Sequence, residues 1–394
     1  MSDPITVLQM ANFADRIGGG EESLLLLLRH LNPGQVRLIL AAPGHGDMLG
    51  QAELLGISGA VLPTPPVLGW PFWQPLTATL RTFRFLRRHP VSLVHAHGAR
   101  GALYAGIACR LAHLPLVWHV RIAAADPRLD WLLARLASQV VAISEAVASR
   151  FAHLPLQRPI VVIPNAVDEA PLADVRSGDA FRQARGLERR SLIAMVARLS
   201  SEKGQEVLLE ALPRIAAAHP DVAVLFAGTG PPDQQAALVA IAEALGVSTR
   251  CFWLGHVDPV APVLHAADVV ALPSTLLPGW AEGFGRVLVE AALCGKPVVA
   301  TRTGGIPEVV REGETGLLVP AGDPRALANA LCLLLEDPGL RRRMGQAGIR
   351  DARERFGVQA HCQRVMDLYT ELASPLGCEI AVTSRTSRPP AHRC

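Results

Sequence analysis

Two carboxylates, Glu282 and Glu290, stand eight residues apart across a glycine-bearing turn, Glu-Gly-Phe-Gly-Arg-Val-Leu-Val-Glu. At 3.6 residues per turn, the first acid falls in a loop and the second about one and a half turns into the apolar helix that follows. The two can therefore touch different parts of one elongated ligand. Gly283 and Gly285 let the backbone approach that ligand closely, and the free N–H groups of the helix start face it with partial positive charge. Carboxylates for hydroxyls, with bare amides and a helix dipole for phosphate, suit a nucleotide sugar.

Other groups could serve the same ligand. Arg198 and Lys203 lie five residues apart in Ala-Arg-Leu-Ser-Ser-Glu-Lys-Gly, around a strand-to-helix turn where two cations can converge on a diphosphate. The chain has only two lysines, Lys203 and Lys296, against 36 arginines, so a lysine kept at this turn is informative. Gly18-Gly19-Gly20-Glu21 follows the first strand, where a glycine turn brings amides to a phosphate or a sugar hydroxyl; the plain alternative is a tight turn with a helix N-terminal carboxylate. His119 ends the run Leu-Val-Trp-His-Val-Arg, with Arg121 on the same face if the strand continues, and is placed either to touch ligand or to be a satisfied core histidine. His95 and His97 have no carboxylate or cysteine neighbours and read as strand-end residues. Neither half holds an Asp-x-Asp for a divalent ion, so no metal or other cofactor is expected.

These groups need a scaffold. Apolar runs recur from Ile5–Met10 to Ile160–Ile163 and again from Leu192–Ala197 to Leu317–Val319, each with a helix-like segment between. Alternation of this kind means βαβ units and parallel sheets covered on both faces. With 394 residues, half of them hydrophobic, two α/β doubly wound domains of roughly 150–200 residues are expected. The division is placed at 1–168 and 169–355, through an aperiodic connection over Pro164–Asp179; a helix at 356–373 and a disordered polar tail at 374–394 follow.

Composition narrows the setting. Seven dispersed cysteines without a CxxC pair argue against disulfides and zinc and for a reducing cytoplasm. No signal peptide is read at the N-terminus, and the leucine run Leu24–Leu28 is too short to span a membrane. The net charge of +3 lies wholly in residues 1–170, which hold 14 arginines against 11 acids; from Leu54 to Ala125 there is no acid at all. An anionic partner other than nucleic acid follows. Residues 76–89 form an arginine-rich helix with Arg81, Arg84 and Arg88 on one face, next to Trp70, Phe72 and Trp73. Basic charge beside tryptophan points to an anionic membrane surface; an ordinary surface helix packed through Phe83 is the alternative.

Taken together, Arg198-Leu-Ser-Ser-Glu-Lys203-Gly, Phe226-Ala-Gly-Thr-Gly230, Glu282 to Glu290, Thr303-Gly-Gly-Ile-Pro-Glu308, the early Gly-Gly-x-Glu and Ile163-Pro-Asn-Ala-Val-Asp168 stand in the order seen in glycosyltransferase family 4. The chain resembles that family along nearly its whole length. The resemblance implies the GT-B fold, two Rossmann-like domains facing across a cleft with a C-terminal helix crossing back to the first. It implies a retaining, metal-independent, front-face transfer from a nucleotide sugar, expected to be a UDP- or GDP-sugar; the acid-free stretch and the arginine-rich helix add the expectation of a cell-envelope glycan or glycolipid acceptor at the inner face of the plasma membrane. Carried over by position, Arg198 and Lys203 would neutralise the leaving diphosphate, Glu290 would hold the ribose and Glu282 the sugar. Gly283, Phe284, Gly285, Arg286 and Val287 would offer amides to the sugar and phosphates. His119 would reach the donor sugar from the opposite domain, Gly19 and Gly20 the donor phosphates, and Gly18, Glu21 and Arg121 the acceptor. Two departures are a long spacer, Thr275–Ala281, and Val-Arg after His119 where a glycine is common. A nucleotide-sugar epimerase of the same fold, or a non-catalytic nucleotide-sugar-binding protein, is the alternative.

Overall fold

The computed structural model describes residues 4–16, 18–66, 73–154 and 156–374. Strands β1 (Ile5–Met10), β2 (Val36–Ala42), β3 (Ser58–Val61), β4 (Leu93–Ala96), β5 (Leu116–Val120), β6 (Gln139–Ala142) and β7 (Val161–Val162) form one sheet. Strands β8 (Leu192–Val196), β9 (Ala223–Ala227), β10 (Cys251–Gly255), β11 (Val269–Leu272), β12 (Val298–Thr301) and β13 (Gly316–Val319) form a second. The orders are β3-β2-β1-β4-β5-β6-β7 and β10-β9-β8-β11-β12-β13, and every ladder between these strands is parallel. Each order reverses once, between β1 and β4 and between β8 and β11. In open parallel sheets a crevice forms at that reversal, beyond the carboxyl ends of the strands.

The apolar runs make these strands because both sheet faces are covered: β5 and β9 are buried at every position, which removes the alternation of a one-sided sheet. The leucine run Leu24–Leu28 is buried within the helix Gly19–His30, enclosed in the core of the first domain. Among the described residues no helix is long and apolar enough to cross a membrane.

The connection differs from the expectation of an aperiodic link over Pro164–Asp179. It holds a short 3-10 turn at Ala170–Leu172, and a helix begins inside it, at Arg176–Ala184. Gly178, read as a loop residue, is instead a close-packing one: a Cβ there would stand 2.5 Å from the backbone carbon of His265, so its lack of side chain lets this helix lie against Ala261–Ala266.

Near the C-terminus, the helix Pro338–Phe356 stays with the second sheet, and the chain turns at Gly357 (φ −68°, ψ 144°) into the helix Val358–Ala373. That last helix docks beneath the first sheet, where Val365, Tyr369 and Leu372 pack with Val7, Leu93, Val117 and Val141. The expected tail from 375 onward lies outside the described residues, as do Trp70 and Phe72. In the helix Gln74–Arg88, Arg81, Arg84 and Arg88 are exposed together with Trp73, Leu76 and Leu80, while Ala78, Thr82 and Leu86 are buried and Phe83 is half-buried.

Candidate active site

The two crevices face each other across a cavity of about 700 Å³, a size typical of small-molecule sites. The turn after β8 supplies Arg198 and Lys203; the loop after β11 supplies Glu282, and the helix it opens, Arg286–Leu293, supplies Arg286 and Glu290; the first domain supplies Gly18 and Gly19. Gly285 and Val287 also reach the wall. The sequence-expected residues Gly20, Glu21, His119, Arg121, Gly283 and Phe284 stand behind it.

Lys203 is held by geometry local to its own turn. Gly204 has φ +79°, and a Cβ there would fall 1.9 Å from the Pro273 carbonyl oxygen, so only glycine lets the lysine turn lie against the β11 loop. From that position Lys203 Nζ meets Glu282 Oε2 at 2.6 Å, and Ser274 Oγ donates to the same oxygen at 3.1 Å. The Trp280 ring covers the ammonium at 5.4 Å. Trp280 belongs to the long spacer, which is strapped to the lysine turn: Thr275 N donates to the Glu202 carbonyl at 3.0 Å and Thr275 Oγ1 to that of Ser201 at 3.1 Å. Gly305 N donates to the Glu282 carbonyl at 2.8 Å, fixing the acid's backbone from the other side.

The two cations point to different partners. Arg198 is largely exposed and turns to Glu202, at 3.3 Å, while Lys203 is tied to Glu282. Glu290 is likewise paired, accepting from Arg286 Nε at 2.9 Å one turn earlier on the helix Arg286–Leu293. Both acids thus wait with a cation in place, and the nearby backbone amides at Gly285 to Val287 belong to the start of that helix.

From the first domain, Gly19 lies beside Arg286 and Gly20 beside Arg121: a Cβ on either would meet the arginine Cδ at ordinary contact distance, 3.8 and 3.5 Å. Glu21 is buried, which raises its pKa, with Arg121 and Arg198 partly opposing that shift. Arg121 donates to Asn165 Oδ1 at 2.6 Å and lies near His97; burial lowers its guanidinium to about 10. His119 is buried with His95 and His97, and burial holds all three imidazoles well below their ordinary pKa. They are therefore neutral at pH 7.

Several residues at or behind the site were not candidates from the sequence, Glu308 standing there only as the end of a motif with no role attached. Arg16 bridges the cavity mouth, meeting Glu22 at 2.7 Å and Asp258 of the second domain at 3.5 Å. Deeper in, Ser144 Oγ donates to the Gly283 carbonyl at 2.8 Å, and the Glu308 carboxylate accepts from the backbone N–H groups of Glu145 and Ala146 at 2.7 and 2.8 Å. Tyr369, which bonds Gln9 and His95, could have been flagged as lysine was: the chain has only two tyrosines.

Two family descriptions match the chain, Glycosyltransferase Family 4 over residues 17–170 and Glycosyl transferases group 1 over residues 178–351. The chain is 38% identical over 200 residues to D-inositol 3-phosphate glycosyltransferase of Corynebacterium efficiens, covering 49% of this chain and 46% of that protein. It is 38% identical over 193 residues to the GDP-mannose-dependent alpha-(1-6)-phosphatidylinositol monomannoside mannosyltransferase of Mycolicibacterium smegmatis, covering 47% of this chain and 50% of that one. The match thus spans about half the length of these relatives. Among solved structures, Anabaena Alr3699/HepE in complex with UDP and glucose superposes with a TM-score of 0.82 at 26% identity, over 93% of this chain and 100% of that one.

Proposed function

Because the chain belongs to glycosyltransferase family 4 and has two Rossmann-like parallel sheets arranged as in GT-B glycosyltransferases, we propose that it transfers a sugar, with retention, from a UDP- or GDP-sugar to a hydroxyl of a cell-envelope glycan or glycolipid. The observation that carries this reading is the gathering of Lys203, Arg198, Glu282, Arg286 and Glu290, from both sides of one sheet reversal, on a single cavity. Relatives named for GDP-mannose and phosphatidylinositol, and a fold neighbour bound to UDP and glucose, support a nucleotide-sugar donor and a glycolipid-type acceptor.

In this reaction negative charge grows on the departing diphosphate, so cations and amides fixed beforehand stabilise the transition state more than the ground state. Lys203 and Arg198 supply the cations, and the amides of Gly283 to Val287 add to them. Glu282 and Glu290 hold the sugar and ribose hydroxyls, and His119 meets the sugar from the first domain. The bond from the anomeric carbon to the phosphate oxygen breaks, the acceptor oxygen bonds the same face, and its proton passes to the leaving phosphate oxygen. No protein nucleophile is needed, and no metal is required to carry the charge. The protein works in the cytoplasm, held at the inner membrane face through Arg81, Arg84 and Arg88.

A thermal-shift screen of UDP-, GDP- and ADP-sugars identifies the donor, since bound ligand stabilises by mass action. Incubating that donor with inositol-phosphate, phosphatidylinositol and glycan acceptors should release the nucleoside diphosphate and give a product of unchanged anomeric configuration. Activity should persist in EDTA. An epimer formed from donor alone, an inverted product, or activity abolished by EDTA and restored by magnesium would overturn the corresponding part of the reading.

A further inference from the structure

Arg121 and His119 are two residues apart in the chain, yet a path through four other side chains joins them in the buried core, and its direction is fixed at one end. A guanidinium has donors only. Arg121 Nη2 lies 3.0 Å from His97 Nδ1, so that nitrogen must accept, and neutral His97 carries its proton on Nε2. His97 Nε2–H then donates to Gln9 Oε1 at 2.8 Å. This orients the Gln9 amide, whose Nε2 donates to the Tyr369 hydroxyl oxygen at 2.8 Å. The tyrosine's own hydrogen goes to His95 Nδ1 at 2.5 Å. His95 must then hold its proton on Nε2, and it donates to His119 Nδ1 at 3.2 Å.

The consequence falls on His119. With Nδ1 accepting, its proton sits on Nε2, and that nitrogen is buried with no hydrogen-bond partner among the described residues. An orphaned buried N–H costs free energy, and this one lies just behind the cavity wall, so a sugar oxygen reaching it would relieve that cost. The three rings also bring nitrogens within 4.8 Å of one another. A cation is disfavoured there, because every Nδ1 lone pair already accepts and a guanidinium abuts the cluster.

We propose that Tyr369, Gln9, His95 and His97 are positioning residues that lock His119 in its Nε2–H tautomer, so that it meets a hydroxyl oxygen of the donor sugar as a hydrogen-bond donor. This rests on the reading of His119 as a sugar-contacting group. It also gives the returning helix Val358–Ala373 a part in the chemistry, since Tyr369, at its inner face, passes the polarity from one strand of the first sheet to the next. Without the tyrosine hydrogen, His95 Nδ1 has no donor and both His95 and His119 are free to change tautomer.

Nitrogen NMR of the 15N-histidine-labelled full chain tests this without any substrate, with signals assigned through His95→Gln, His97→Gln and His119→Gln. His95, His97 and His119 should each show a protonated, pyrrole-type Nε2 and a bare, pyridine-type Nδ1. In Tyr369→Phe, His95 and His119 should move toward mixed tautomers while His97, upstream in the path, keeps its pattern; Gln9→Met breaks the path one step earlier, between His97 and the tyrosine hydroxyl, and leaves that hydroxyl free to turn away from His95. Turnover in Tyr369→Phe should fall roughly three- to tenfold, with donor KM changing less than kcat. A wild-type His119 protonated on Nδ1, or a His119 spectrum unmoved by both substitutions, would overturn the proposal. Failure of the transferase reading is seen separately, as a wild-type protein that turns over no nucleotide sugar whatever its ring spectrum.

Discussion

Lys203 Nζ and Glu282 Oε2 face each other at 2.6 Å across the reversal between β8 and β11, each on the cavity wall. The residue proposed to neutralise the diphosphate and the residue proposed to hold the sugar are therefore one ion pair before ligand arrives. Removing either member leaves a buried carboxylate or a half-buried ammonium without its partner, so the two variants should not behave as independent losses. Lys203→Ala is expected to lower kcat by roughly a hundred- to a thousandfold, the usual effect of deleting a preorganised electrostatic contact. Glu282→Gln should do so comparably, and the double variant should lose less than the product of the two. Glu290→Gln should act mainly on donor KM. Steady-state kinetics on the four proteins checks this; full activity in Lys203→Ala would refute the assignment.

Trp280 adds a second hold on the same lysine, its ring 5.4 Å from Nζ. A cation over an indole face gains about 0.5–2 kcal/mol, so Trp280→Leu should cost roughly two- to thirtyfold in kcat/KM, with Trp280→Phe retaining most activity. Because the chain has only Lys203 and Lys296, lysine-selective labelling yields two side-chain NMR signals. Ring-current displacement of the Lys203 methylene signal should vanish in Trp280→Leu while the Lys296 signal stays; an unmoved Lys203 signal would show that the indole does not cover it.

Much of this arrangement was readable before the fold. The bounds of β1 coincide with the apolar run Ile5–Met10, and those of β8 and β13 fall within one residue of Leu192–Ala197 and Leu317–Val319, because strands covered on both faces need continuous hydrophobicity, a local property. Glu282, Glu290, Arg198 and Lys203 stood out because a ligand site needs unusual residues at unusual spacing. The pairings were not readable. Lys203 with Glu282, Tyr369 with His95 and Glu308 with Glu145 join residues 79, 274 and 163 positions apart, and only the crossing of the two sheets and the return of the last helix bring them together. His119 shows the limit best: strand position placed it at the site's edge, but which ring nitrogen carries its proton depends on three other segments.

Glu308 fastens the two domains, accepting from the N–H groups of Glu145 and Ala146 with both oxygens. Its own carbonyl is in turn held by Arg355. Glu308→Gln keeps the shape but removes the charge and one acceptor, which for charge-assisted bonds is worth about 1.5–3 kcal/mol. The expected result is a donor KM raised roughly ten- to a hundredfold through a less populated closed cleft. Near-normal KM would show that closure does not depend on this contact.

Acid should destabilise the fold before carboxylates titrate. His95, His97, His119 and His361 all have folded-state pKa values below the ordinary 6.5, chiefly from burial, and His361 falls to about 4. The groups facing them are Arg121, Tyr369, Gln9 and, at His361 Nδ1, the Pro164 carbonyl. With the folded values depressed, the unfolded chain binds more protons below pH 6.5. Stability is complete above that pH and declines toward about pH 4, each ring contributing up to about 1.4 kcal/mol per pH unit. Urea titrations from pH 7.5 to 5 should show a falling midpoint, and His361→Gln should flatten the slope; a constant midpoint over that range would contradict the buried neutral state.

The helix Gln74–Arg88 turns Arg81, Arg84 and Arg88 outward beside exposed Trp73, Leu76 and Leu80, and Ala78, Thr82 and Leu86 inward. Its buried face is thus satisfied by the first domain, and its outer face joins apolar side chains to positive charge. Each arginine near an anionic bilayer gains about 1 kcal/mol, screened by salt, so three together should change binding by roughly a hundredfold. Co-sedimentation with vesicles of phosphatidylcholine and phosphatidylglycerol should therefore be strong at low salt and weak at about 0.5 M, beyond the range of screened attraction. It should fail with phosphatidylcholine alone, and Arg81→Gln/Arg84→Gln/Arg88→Gln should abolish it while turnover on a water-soluble acceptor is retained. Equal binding by that triple variant would overturn the role of the three arginines, because the exposed apolar side chains or another surface would then account for the affinity; no binding by the wild type at low salt would assign the helix to an ordinary surface.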